Sequence, residues 1–91
     1  MRLFDFLSKL VHKQKVLVTA QNELMKLYIN SGGYNMNSES AEPVKEIGRK
    51  LNEAGGFKLM LKAHEDFAAR KGRSLARNLE QVWDGIGSWR G

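Results

Sequence analysis

The residues of this chain that could do chemistry are few, and their spacing decides most of the matter. His64 is followed by Glu65, which is how a helical zinc protease begins its motif. That chemistry needs a second imidazole four residues on, so that two ligands share one helix face with the glutamate between them. Position 68 is alanine, and the other histidine, His12, is remote in sequence. With no cysteine in the chain, no thiolate can complete a tetrahedral site, so His64 reads as a residue of the inner helix face, bonded to a neighbour or lying at the core's edge. Gly85-Ile86-Gly87-Ser88-Trp89-Arg90-Gly91 has the glycine content of a phosphate loop, but such a loop follows a strand and opens a helix. Here the glycines follow a helical pattern and read as its terminator. Glu65, Asp66, Glu80 and Asp84 could in principle pair as acid and base, yet charged residues recur on every helical segment and read as a solvated face. No catalytic residue, metal or cofactor is expected, and the chain does not read as an enzyme.

The elements that must position any site are helices. Leu3, Phe6 or Leu7, Leu10, Leu17, Ala20, Leu24 and Leu27 or Tyr28 follow three-and-four steps, which predicts helix over about 2–30. His12-Lys13-Gln14-Lys15 interrupts the apolar series, so this is either one helix or two meeting there. Val16-Leu17-Val18-Thr19 has strand-forming types but no partner strand, and stays with the helix. Ser31-Gly32-Gly33 reads as its stop, and one longer loop runs over about 31–41. Pro43 suits the first turn of the next helix, whose apolar face is Val44, Ile47, Leu51 and Ala54, with Gly48 allowing close approach. Gly55-Gly56 reads as a stop, and Phe57, Met60, Leu61, His64, Phe67 and Ala68 as the inner face of another helix reaching Lys71-Gly72. Ser74 reads as the cap of a last helix carrying Leu75, Leu79, Val82 and Trp83. The expectation is one all-α domain over 1–91, a compact bundle of four to five helices joined by short glycine-containing turns.

Composition agrees. Apolar residues make up 42% and charged residues 27%, as in ordinary globular domains. No apolar run approaches the roughly 20 residues of a membrane-spanning helix. Asp5, Ser8 and Lys9 break the apolar core that a secretory signal would need, and the absence of cysteine suits a reducing compartment. The expected location is the cytoplasm. A net charge of +5 serves solubility first and favours anionic partners second.

Three surfaces remain as candidates for binding. Lys62, Arg70, Lys71, Arg73 and Arg77 surround the last helix-helix turn and form a candidate anion or nucleic-acid patch. As a helix-turn-helix it fails in detail, because Leu75, Ala76 and Leu79 stand where base-reading side chains belong, and Lys71 and Asn78 where packing is wanted. The start of the chain, Leu3, Phe4, Phe6, Leu7, Leu10 and Val11 with Arg2, Lys9 and Lys13, is amphipathic and could enter a protein groove or a membrane interface. Phe6, Leu7 and Leu10 are nevertheless assigned first to the chain's own core. Tyr34, Met36 and Trp89 lie outside the helical stripes and join Leu3, Phe4 and Phe6 as a candidate protein-interaction surface, with folding back over the bundle ends as the rival.

Glu46-Ile47-Gly48, Ala54-Gly55-Gly56-Phe57 and Trp83-Asp84-Gly85-Ile86-Gly87-Ser88-Trp89 resemble small uncharacterised bacterial helical proteins over about the last half of the chain. The resemblance implies a bacterial, cytoplasmic setting and a tryptophan-glycine ending that is packed, with Asp84 bonding backbone of the following turn. It implies no activity. The leading expectation is a non-enzymatic helical module that binds a protein or a second copy of itself. Nucleic-acid binding through Arg70–Arg77 is the alternative, and peripheral membrane association the third.

Overall fold

The computed structural model describes residues 2–29, 33–35 and 37–90, with side chains from residue 5 onward. Three α-helices account for most of it: α1, Arg2–Leu27; α2, Glu42–Lys71; and α3, Arg73–Val82, with a single 3-10 turn, Glu39–Ala41, before α2. There is no strand among the described residues. The all-helical class holds, and the count of four to five helices is corrected to three.

The correction has two physical sources. The polar stretch His12–Lys15 does not break α1, which runs through it unbroken, because lysine and glutamine are good helix formers whatever they do to the apolar stripe. Gly55-Gly56 does interrupt helical geometry as expected, with Gly56 at φ 70° and ψ −158°, a conformation that residues with a Cβ rarely adopt. The two helical stretches meet there without an intervening loop, so they count together as one kinked element, α2. The break between α2 and α3 lies at Gly72, which receives no help from the Ser74 side chain. The expected stop at Ser31-Gly32 lies outside the described residues.

The core is one cluster. Leu17, Ala20, Leu24 and Tyr28 of α1 meet Val44, Ile47 and Leu51 from the first half of α2, Leu59, Met60, Ala63 and Phe67 from the second, and Ala76, Leu79 and Val82 of α3. Past the bend, the face that turns inward is centred on Met60, Ala63 and Phe67, whereas Phe57 and Leu61, expected inside, are exposed. The non-helical residue shifts the phase of the second half relative to the first.

Trp83 closes the cluster. It is fully buried, its indole N–H donates to the carbonyl of Val44 at 2.9 Å, and it lies against Gly48 so closely that a Cβ there would sit 2.8 Å from its ring. Trp89, from the turn after α3, packs edge-on to Trp83 with ring centroids 5.3 Å apart. Its N–H donates to the carbonyl of Glu80, and only 4% of it is exposed. The ending is thus a packed cap on the bundle, and Trp89 is removed from the candidate interaction surface. Carrying its own hydrogen-bond donor inward with an available carbonyl lets an indole be buried at no unpaired cost.

Substituting Gly48→Ala forces a methyl into the Trp83 ring. The unfolding free energy should fall by about 1–3 kcal/mol, the usual cost of overpacking, as measured by urea denaturation.

Candidate functional site

The first half of α1 is where the structure departs most from expectation. Burial along α1 begins only at Val16 and Leu17. From Asp5 to Lys15, about 16 Å of helix at 1.5 Å per residue, every side chain is exposed. These include Phe6 at 59%, Leu7 at 48%, Leu10 at 47% and Val11 at 55%. The assignment of Phe6, Leu7 and Leu10 to the core is therefore overturned. α2, which borders α1 through Ile47 and Lys50 beside His12 to Glu23, bends at Gly56 and does not continue along residues 5–15. The molecule is correspondingly long, 47 × 24 × 20 Å, with a radius of gyration of 13.5 Å against about 12 Å for a compact chain of this length.

Helical geometry fixes which way these side chains point. Leu10 precedes Leu17 by two turns and Phe6 lies one turn further back, so both continue the stripe that Leu17, Leu24 and Tyr28 bury. They face the side on which the body of the protein lies, but beyond its end. Leu7 and Val11 occupy the adjoining face. The result is a stretch of α1 that overhangs the end of the core. The surface beside Leu7, Ser8, Val11, His12 and Lys15 is open and shallow, and a hollow of about 240 Å³, mostly apolar, lies between His12, Lys15, Val16, Thr19, Ala20 and Glu23 of α1 and Ile47 and Lys50 of α2. The side chains of Leu3 and Phe4, and residue Met36, lie outside the described residues.

Tyr34 is half-buried and occupied. Its ring stands edge-on to Tyr28 at 4.9 Å and its hydroxyl donates to the carbonyl of Leu27. Asn78, which sequence reasoning noted only as a misfit in a DNA-binding motif, holds this corner together. Its Oδ1 accepts from the Tyr28 hydroxyl at 2.7 Å and from the Tyr34 amide at 3.0 Å, while its Nδ2 donates to the Tyr34 carbonyl at 2.7 Å. Burial, reinforced by the neighbouring Tyr34, pushes the Tyr28 hydroxyl well above its ordinary pKa, so it stays a donor. The signal available in the sequence was a polar amide at an inner helical position, which must find partners when buried.

His64 lies at the core's edge as expected. Its Nε2 is 3.1 Å from the carbonyl of Ala76 and 3.6 Å from Glu80 Oε2, and its ring is 5.4 Å from that of Trp89. It fastens α2 to α3. No group of three potential metal ligands occurs among the described residues.

The basic candidates differ in their surroundings. Arg70 is paired with Asp66 at 3.1 Å, Lys71 is half-buried, and Lys62 is exposed on the second half of α2. Arg73 and Arg77 line a common feature, an open hollow of about 520 Å³ shared with Ser74, Asn78 and Gln81.

No known protein family, curated protein or solved structure matches this chain. No helix among the described residues is long and apolar enough to cross a membrane.

If residues 5–15 of α1 lie outside the core, Phe6→Ser with Leu10→Ser should change the unfolding free energy by no more than about 0.5 kcal/mol. Leu24→Ala, a cavity in the core, should cost about 2–5 kcal/mol. Denaturant midpoints of the two variants distinguish the cases.

Proposed function

We propose that the protein is a non-enzymatic interaction module that presents the first half of α1 to another protein. The observation that carries this reading is the exposure of Phe6, Leu7, Leu10 and Val11 together on an ordered helix. Scattered apolar residues on a surface are ordinary, but a contiguous set on one helical face marks a site that meets something apolar. Helix-in-groove recognition uses this spacing, with anchors at i, i+4 and their neighbours one residue on. The polar groups elsewhere support the same view, because His64, Tyr28, Tyr34 and Asn78 are all engaged in holding the fold.

A photo-reactive amino acid replacing Leu10 should give a discrete cross-linked protein adduct in producing cells. The adduct should weaken with Phe6→Ser, and the same probe at Ile29, exposed beyond the other end of α1, should not give it. Labelling that is absent, or the same at both positions, would overturn the reading.

A second reading rests on Arg73 and Arg77, two exposed guanidiniums on one face of α3 lining a hollow with three polar side chains. Such a pair could engage the phosphates of a nucleic acid without reading sequence. If it does, fluorescence anisotropy with labelled duplex at low salt should show binding that falls steeply as salt rises. Arg73→Gln with Arg77→Gln should weaken it across sequences alike. No binding at low salt removes this reading.

A further inference from the structure

Taking the first half of α1 as a docking surface, as above, we infer that its occupant is an amphipathic helix of another protein whose apolar face is bordered by acidic residues. At 100° per residue around α1, Phe6, Leu10, Leu7 and Val11 form one continuous arc. Lys9 and Lys13 border one edge of that arc and Lys15 the other, while Asp5 lies on the back of the helix. Further along α1, Lys50 of α2 and Glu23 line the same hollow and balance each other, so the charge selection rests on Lys9, Lys13 and Lys15. An apolar seam fenced by cations on both sides selects a partner with the same seam fenced by anions, since charges at such borders steer association and reject like-charged competitors.

Shape and charge together set aside the other occupants. Burying Phe6 and Leu10 in a flat bilayer would drive the body of the protein into it, because those residues face the side on which α2 lies. A second copy would bring the same lysines to the same borders, opposing charge with like charge. An acidic helix lying along Phe6, Leu10, Leu7 and Val11 instead meets opposite charge at both borders of the arc.

The test uses the full chain and three fluorescent helical peptides with one leucine seam and acidic, neutral or basic flanks. The acidic peptide should bind roughly tenfold or more tightly than the basic one, with the difference shrinking as salt rises. Phe6→Ser with Leu10→Ser should abolish binding, and Ile29→Ser should leave it intact. Lys9→Glu with Lys13→Glu should reverse the preference toward the basic peptide. Indifference to flank charge, no binding by any peptide, dimerisation of the chain in sedimentation at the same concentration, or co-flotation with phosphatidylserine vesicles that Leu10→Ser abolishes would each overturn the inference. The cross-linking at Leu10 separates the two levels: an adduct there with no flank preference ends this inference and leaves the docking surface standing.

Discussion

Trp83 and the glycine it rests on set the geometry of everything else. An indole fully withdrawn from water needs both a carbonyl for its N–H and a flat space for its rings, and Val44 and Gly48, one helical turn apart on α2, supply the two. That contact fixes the end of α3 against the beginning of α2. Because α2 bends at Gly56, it also fixes where the second half of α2 must return to meet α3 through His64 and Ala76. Trp89 then folds over the joint. Trp83 and Trp89 are consumed in this packing, with Phe57 beside Trp89 left partly open.

The opposite holds at the start of the chain. One small core is all that a domain of this size can build, and here it is filled by the second half of α1, both halves of α2, and α3. Phe6, Leu7, Leu10 and Val11 find no counterpart because α2, which might have covered them, has turned away at Gly56. What remains exposed is therefore a consequence of the bend, and it is bordered by Lys9, Lys13 and Lys15.

The repeat of apolar residues predicted the helices and most of the buried set: Leu17, Ala20, Leu24 and Tyr28 on α1, Val44, Ile47 and Leu51 on α2, Leu79, Val82 and Trp83 at the end of α3. Periodicity states which side of a helix is apolar, and it is silent on whether another element lies there. Phe6 and Leu10 continue the core stripe without interruption of phase, so nothing in their spacing separates them from Leu17. Gly55-Gly56 is equally ambiguous, since a residue that tolerates positive φ serves a helix end and a helix bend alike. Trp89 lies outside any repeat, and its place was set by contacts with Phe57, His64 and Trp83. Asn78 finds its partners 44 and 50 residues away, a pairing that no local pattern encodes.

The unbroken run of α1 from solvent into the core has an energetic meaning of its own. A free peptide of residues 5–15 would be too short to hold a helix in water, because the first turn costs more than it returns. Joined to a stretch already locked by Leu17, Leu24 and Tyr28, the same residues need only extend a helix that exists. Their backbone order is settled before any encounter. Whatever docks on Phe6 and Leu10 is spared most of the entropy that a disordered recognition segment surrenders on binding, so a small contact on this rigid spur can hold more firmly than its area alone would allow.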